Sequence, residues 1–262
     1  MPSLESEIRE ILNRNKGTFG IAAWNSTDGL EFFFNEHEVF PSASVIKVPI
    51  IVELFWQRDE GRVSLDETVI LKDEDKVEGS GILKELHEGL ELTLRDLATL
   101  MIVISDNTAT NLLIDRLGND VVNSRMRSLG LEKTTLARKM YDWEQARLGK
   151  ENLCTPYEMM QLLRWLACGE IPSRSASQEI IEIMARQQYR DKIPLMLPAD
   201  LKIANKTGSI SGVTHDVAVV YAPWGPYVLC VMAKGIDDQE DQRIAKLAIA
   251  EISRVVYDHF SA

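Results

Sequence analysis

The order of strand-like and helix-like segments along the chain narrows the folds that it can adopt. Apolar, β-rich runs lie near both ends of the chain, at 19–24, 30–34, 201–207, 217–221 and 227–233. Residues 41–198 show helical periodicity instead, with no clear strand. Strands are therefore expected only at the two ends of the chain.

The strands at each end form a hairpin beside a terminal helix, predicted at 3–14 and 241–259. Two such hairpins can join in one antiparallel sheet with helices on its faces. We therefore predict an α+β fold of two lobes that together form one domain. Residues 1–41 and 199–262 build an α/β lobe, and residues 42–198 build an all-helical lobe. A cleft between two lobes is a common ligand site.

Composition and charge exclude several classes of partner. Apolar residues make up 45% and charged residues 26% of the 262-residue chain, a balance typical of globular proteins. The formal net charge of -11 repels phosphate backbones, so we expect no nucleic acid partner. We expect a monomer that acts on a small molecule.

The chain shows no sequence signal for export or for a membrane span. Its first residues lack the apolar core of a secretory signal. No apolar run approaches the roughly 20 residues that cross a bilayer. We expect a cytoplasmic protein as the sequence is written, or a secreted or periplasmic one if the sequence is that of a trimmed form.

Cysteine and histidine spacing gives no support for metal or cofactor chemistry. Cys154, Cys168 and Cys230 form no C-x-x-C pair. The four histidines show neither H-x-x-x-H spacing nor an evident Ser-His-Asp triad. We expect no metal and no cofactor, and a serine nucleophile would need a base other than histidine.

Ser44 and Lys47 form the first candidate catalytic pair. In Ser44-Val45-Ile46-Lys47 the hydroxyl and the amine lie on one face of a helical turn. A serine is a weak nucleophile until a base takes its proton, and a lysine can do so where burial or nearby positive charge lowers its pKa. Pro49 cannot donate to the carbonyl of Val45, so we predict a distorted first turn.

Ser105-Asp106-Asn107 is the second candidate. These residue types are good helix caps, and they precede the helical pattern at 108–117. A catalytic interpretation is also open. Ser105 would pass a proton to a leaving nitrogen, while Asn107 would hydrogen-bond both Lys47 and a substrate amide.

Lys206-Thr207-Gly208-Ser209 is the third candidate, and it closes a predicted strand. A purely structural interpretation is a basic turn with a flexible glycine. As a binding site, Lys206 would attract an anion, Thr207 would bind a carboxylate, and Gly208 would let a ligand approach the backbone. The N–H groups of Ser44 and Ser209 would then stabilise an oxyanion.

The three motifs occur together and in one order, and S-x-x-K, S-D-N and K-T-G are the set of class A β-lactamases and penicillin-binding proteins. The chain resembles this family of penicillin-recognising serine hydrolases from Gly17 to the terminal helix. The resemblance implies a two-lobed β-lactamase/transpeptidase-like fold. It also implies that Ser44 is acylated, with Lys47 as its base, Ser105 as proton carrier and Lys206 with Thr207 as carboxylate site.

The sequence departs from the family in the loop 136–156. Class A β-lactamases carry there a glutamate that activates the deacylating water, in a pattern like L-x-R-x-E. This chain reads L-A-R-K-M and places Met140 at that position. Asn152 stands where the resemblance implies an acid that would pair with Arg138.

Asp142 and Glu144 lie near enough in the sequence to substitute for the missing glutamate. Without a base for deacylation, a β-lactam would open on Ser44 and stay attached. The leading hypothesis is a β-lactamase-like hydrolase that is slow in deacylation. The alternative is a D-alanyl-D-alanine peptidase, or another amidase or esterase, acting on an acyl-D-alanine-type substrate. A third hypothesis is a non-catalytic β-lactam or peptidoglycan sensor, which would not need Ser44, Lys47, Ser105 and Lys206 all intact.

Overall fold

The structure is a computed structural model that describes residues 3–236 and 238–261. Its helices are α1 (Leu4–Asn13), α2 (Lys47–Asp59), α3 (Leu94–Val103), α4 (Asn107–Leu117), α5 (Asn119–Ser128), α6 (Trp143–Arg147), α7 (Pro156–Cys168), α8 (Arg174–Met184) and α9 (Gln239–Phe260). Its strands are β1 (Thr18–Asn25), β2 (Glu31–Phe34), β3 (Phe40–Pro41), β4 (Thr68–Ile70), β5 (Glu91–Thr93), β6 (Leu153–Cys154), β7 (Lys202–Ile210), β8 (Gly212–Ala222) and β9 (Gly225–Ile236).

The two ends of the chain meet in one antiparallel sheet. Its strand order is β2-β1-β9-β8-β7, and β1 pairs with β9 from Thr18 opposite Lys234 to Asn25 opposite Tyr227. The predicted α+β fold, with both terminal hairpins in a single sheet, is confirmed.

Side chains of β1 alternate between two apolar cores, because successive residues of a strand point to opposite faces. Ile21 and Ala23 pack on the side of the terminal helices α1 and α9. Ala22 and Trp24 pack in the larger core, which also contains α2 and α7. The sheet is therefore covered on both faces.

Helix α2 runs through the larger core. Its apolar residues from Val48 to Phe55 are fully buried, and a helix that is apolar around its circumference requires such a position. The segment 43–46, which leads directly into α2, contacts β7 and β8. The start of α2 at Lys47 therefore lies beside the sheet.

Short strands interrupt the central segment, where the sequence indicates none. Strands β4 and β5 pair with each other, and so do β3 and β6. Ladders of two or three residues are too short to give the alternation from which strands are predicted. No helix among the described residues is long and apolar enough to cross a membrane.

Candidate active site

Ser44 lies in a 3₁₀ turn that leads directly into α2. The turn covers Ala43–Ile46, and the α-helix begins only at Lys47. This confirms the predicted distortion, since Pro49 removes the hydrogen bond that an α-helical turn would make to Val45. Backbone contacts hold the turn in place, with the Ser42 N–H donating to the Asn152 carbonyl at 2.7 Å.

Lys47 points into a fully buried network. Its Nζ donates to the Ser105 carbonyl at 2.8 Å, to Ser105 Oγ at 3.1 Å and to Asn107 Oδ1 at 2.8 Å. The predicted contact between Asn107 and Lys47 is therefore present. The Asn107 amide nitrogen donates to the Glu78 carbonyl at 3.1 Å.

Ser105 connects the second motif to both lysines. Its hydroxyl lies 3.1 Å from Lys47 Nζ and 3.1 Å from Lys206 Nζ. Its φ of 57° is in the left-handed region, which costs a non-glycine residue on the order of 1–3 kcal/mol and is typical of functional sites. Asp106 supplies the cap of α4 by accepting from the Ala109 N–H, so the capping interpretation of this motif also holds.

The third motif lies within β7 and not at its end. The strand continues to Ile210, beyond the predicted end at residue 207, because 202–210 pairs with β8 along its full length. Lys206 therefore projects from the interior of a strand. Gly208 faces the 3₁₀ turn, where an added Cβ would lie 3.2 Å from Ala43 Cβ and from the Ser42 carbonyl oxygen. The absence of a side chain at Gly208 therefore lets β7 pack closely against the turn that carries Ser44.

The environment of Lys47 and Lys206 disfavours their charged forms. Burial lowers the pKa of Lys47 well below its usual range, and the positive charge of Lys206 lowers it further. Burial also lowers the pKa of Lys206, to about 7, although the Asp216 carboxylate opposes this shift. A lysine whose neutral form is accessible near pH 7 can act as a base.

Lys192 is a site residue that sequence reasoning missed. It belongs to no motif, yet its buried Nζ donates to the Gly208 carbonyl at 3.0 Å, to Ser209 Oγ at 3.0 Å and to the His215 carbonyl at 2.8 Å. Burial lowers its pKa to about 8. Lys192 therefore holds the end of β7 and places a third buried amine beside the site.

His215 supports the segment that precedes Ser44. Its Nδ1 accepts from the Ala233 N–H at 3.2 Å, so Nε2 carries the proton and donates to the Pro41 carbonyl at 2.8 Å. Burial lowers its pKa to about 4, which keeps the ring neutral. This histidine therefore positions the short strand β3 just before Ser44.

Two cavities open beside Ser44. One, of about 230 Å³, is lined by Ser44, Ser105, Lys192, Thr207 and Ser209, among others, and by Asp191, which is paired with Lys246. The other, of about 450 Å³, is lined by Ser44, Asn107 and the loop residues Met140, Tyr141 and Trp143, among others. The half-buried Ser44 is thus accessible from a lysine-rich side and from an aromatic side.

Met140 lines the larger cavity, and the Asn111 side chain holds its backbone through two hydrogen bonds. Its N–H donates to Asn111 Oδ1 at 2.8 Å, and Asn111 Nδ2 donates to its carbonyl at 3.0 Å. Asp142 caps α6 through the Gln145 N–H and faces a different pocket, and Glu144 is exposed. Neither of these two acids lines a cavity with Ser44.

The loop keeps an ion pair, but with a different acid. Arg138 Nη2 donates to both carboxylate oxygens of Glu151, at 2.9 and 3.1 Å. Asn152 instead accepts from the backbone N–H groups of Ala137 and Arg138. Within residues 3–236 and 238–261, no cluster of His, Cys, Asp and Glu could hold a metal ion.

A serine beside two buried lysines and a bridging hydroxyl, set between a sheet and a helical core, defines a serine hydrolase of the acyl-enzyme type. The model of the β-lactamase enzyme family matches residues 3–260. A curated β-lactamase from Bacteroides uniformis is 28% identical over 98% of this chain and 91% of its own length.

Solved structures agree with this match. The β-lactamase from Sphaerobacter thermophilus is 32% identical and superposes with a TM-score of 0.89, covering 98% of this chain and 97% of its own. The protein PBP-A is also 32% identical with a TM-score of 0.89, covering 98% of this chain and 96% of its own. A variant of PBP-A was solved as an acyl-enzyme complex with penicillin G. The chain belongs to the β-lactamase enzyme family and is a class A β-lactamase-like serine hydrolase.

Proposed function

We propose that the chain acylates Ser44 with a β-lactam and releases the acyl group slowly. The observation that carries this proposal is the Ser105 hydroxyl, held at 3.1 Å from each of two buried lysine Nζ atoms beside Ser44. A purely structural role does not explain why two lysines with lowered pKa values converge on one hydroxyl.

Acylation begins from the neutral form of Lys47, which keeps two of its three hydrogen bonds and accepts the proton of Ser44 on the freed lone pair. The Ser44 oxygen attacks the lactam carbonyl, and the N–H groups of Ser44 and Ser209 stabilise the oxyanion. The carbon–nitrogen bond then breaks as Ser105 gives its proton to the leaving nitrogen. Protonated Lys47 returns a proton to Ser105, which balances the step.

The substrate carboxylate binds at the lysine-rich cavity. Lys206 and the Thr207 hydroxyl are the proposed contacts, and Thr207 lines that cavity with Ser44. Lys192 acts there through its charge, because its three donors already have acceptors in the protein.

Deacylation lacks a proton acceptor in the expected place. Met140 lines the cavity with Ser44 and Asn107, and its thioether cannot take a proton from water. The same feature favours a second candidate, a D-alanyl-D-alanine peptidase or related amidase of the penicillin-binding type. The likeness to PBP-A, a variant of which forms an acyl-enzyme complex with penicillin G, supports the acylation step that both candidates share.

Single-turnover mass spectrometry with benzylpenicillin tests the proposal. We expect an adduct of one penicillin that persists after excess compound is removed, and none in Ser44→Ala. In Met140→Glu we expect the adduct to decay faster, because a carboxylate can activate water. An adduct that is absent or lies on another residue contradicts the proposed nucleophile, and rapid return of free parent enzyme contradicts slow release.

A further inference from the structure

The peptide bond between Gly208 and Ser209 lies in the last strand of the sheet. Strand β7 pairs with β8 along one edge, and its other edge is open within the five-stranded sheet. In an antiparallel ladder, successive residues direct their backbone groups to alternate edges. The carbonyl of Gly208 and the N–H of Ser209 therefore face opposite edges of β7.

The contacts of Lys192 show which edge each group faces. Its Nζ donates to the Gly208 carbonyl at 3.0 Å and to the His215 carbonyl at 2.8 Å. Gly208 and His215 are directly opposite each other in the ladder. One nitrogen can reach both oxygens only if both carbonyls point into the space between the strands. The N–H of Ser209 therefore points to the open edge, where Ser209 and Ser44 line the same cavity.

The Lys192 ammonium is fixed in this position. The residue is buried, and its third donor goes to Ser209 Oγ at 3.0 Å. Burial lowers the pKa of this amine to about 8, so most molecules carry its positive charge at pH 7. A charged donor on a carbonyl oxygen polarises the whole peptide, and hydrogen bonds linked through one peptide strengthen each other. The N–H of Ser209 is therefore a stronger donor than that of an ordinary edge residue.

We propose that Lys192 is a positioning residue for the oxyanion, because it orients and polarises the peptide whose N–H, that of Ser209, stabilises the charge formed when Ser44 attacks. Electrostatic stabilisation of this kind is effective when the donor is already in place before the reaction. The role differs from attraction of a substrate carboxylate, since it operates through the protein backbone and on any acyl group. It rests on the proposed acylation of Ser44 and adds a residue from outside the three motifs.

Infrared spectroscopy of the acyl-enzyme tests this role. Benzylpenicillin labelled with ¹³C at the lactam carbonyl gives an isotope-shifted ester band, whose frequency falls as hydrogen bonds to the carbonyl oxygen strengthen. We expect the band at a higher frequency in Lys192→Met, and at an intermediate one in Lys192→Gln, which keeps a neutral donor. Lys246→Met is the matched control and should keep the parent frequency, because Lys246 lines the same cavity but pairs with Asp191.

The rate of acylation separates this role from attraction of a carboxylate. Benzylpenicillin methyl ester has no carboxylate charge, yet Lys192→Met should acylate with it about fivefold more slowly than the parent. That factor follows if polarisation supplies up to roughly 30% of the effect of an oxyanion donor, whose removal costs about 100- to 1000-fold. Thermal unfolding checks the fold of each variant.

Two results would overturn the role of Lys192. One is the parent carbonyl frequency in both Lys192 variants, and the other is an unchanged rate with the methyl ester. The second result would restrict Lys192 to attraction of the substrate carboxylate. A parent chain that forms no adduct on Ser44 with benzylpenicillin would instead overturn the proposed function itself.

Discussion

Ser105 is the residue on which the two buried lysines converge. Its left-handed backbone turns the hydroxyl toward Lys47 and Lys206, while the next residue begins the cap of α4. The consecutive residues 105–107 therefore both start helix α4 and contact the two buried lysines. The strain at Ser105 is acceptable because Asp106 anchors the loop at Ile82 and Leu83 by accepting both of their N–H groups.

Ser105→Ala should slow acylation by benzylpenicillin about 100-fold, the low end of the contribution of a positioned proton carrier. The fold should persist, since Asp106 retains its cap. Ser128→Ala, which removes an exposed hydroxyl at the end of α5, is the control. Adduct formation followed by mass spectrometry gives the rate, and thermal unfolding monitors the fold. A Ser105→Ala chain that acylates at the parent rate would contradict the proton path.

The three sequence motifs, through their resemblance to a known family, predict the residues that meet at this site. Ser44, Lys47, Ser105, Asn107 and Lys206 do come together in the structure. Lys192, Glu151 and Tyr141 cannot be found in this way. Their positions depend on tertiary contacts with strands and loops distant in sequence, and an isolated lysine, acid or tyrosine carries no such information.

At the scale of elements, the loop between α5 and α7 is closed by two neighbouring residues with different contacts. Arg138, with an 11% exposed side chain, pairs with Glu151, and Asn152 accepts from the backbone N–H groups of Ala137 and Arg138. Both contacts close the same part of the loop. The neighbouring acid provides the ion pair, and the amide provides the turn.

Glu151→Gln should loosen this loop. The buried guanidinium of Arg138 would keep only a neutral partner, and we expect a loss of about 1.5 to 3 kcal/mol in the free energy of unfolding, since hydrogen bonds to charged groups contribute in that range. Hydrogen exchange at the Ala137 and Arg138 amides should accelerate. Glu182→Gln, which breaks the exposed pair with Lys202, is the control and should change stability little. Unchanged exchange in Glu151→Gln would show that Asn152 alone closes the loop.

Strand boundaries illustrate the limit of sequence reasoning at this scale. The apolar pattern of β7 stops near residue 207, yet the strand continues to Ile210. Its last residues, Ser209 and Ile210, are exposed, so burial does not mark them in the sequence. Pairing with Thr214 and Val213 of β8 is what extends the strand. By contrast, the 3₁₀ turn at Ser44 is predictable, because Pro49 acts locally.

For the molecule as a whole, a positive interior lies inside an acidic protein. The formal net charge is -11, while Lys47, Lys192 and Lys206 are buried around one site. Two buried carboxylates, Asp106 and Asp216, lie among them, and burial raises the pKa of Asp216 to about 6. Such a local field attracts carboxylate substrates toward a surface that repels them elsewhere.

The free energy of unfolding should rise from about pH 7 to about pH 8.5. The pKa values of Lys206, about 7, and of Lys192, about 8, lie below the value of a lysine in an unfolded chain. In this window the unfolded state binds more protons, so stability increases with pH, by about 2 kcal/mol. Above it the raised pKa values of Cys154 and Cys230 act in the opposite direction.

Urea unfolding at the two pH values measures this rise. Lys206→Met should reduce it by about 1.6 kcal/mol, because Lys206, with the lower pKa of the two, contributes most of the rise. Lys202→Met removes an exposed lysine of the same strand and should leave the rise intact. A stability that falls between the two pH values would show that the buried lysines stay protonated.

The pairing of β1 with β9 has a consequence for synthesis of the chain. As it leaves the ribosome, the hairpin of β1 and β2 has no partner on its second edge until residues 225–236 have been translated. An isolated two-stranded hairpin is at best marginally stable in water, so the helical middle must collapse before the sheet does. The pocket of Ser44 can therefore close only when translation is almost finished, and a chain that terminates early carries the nucleophile but not the strand that completes its site.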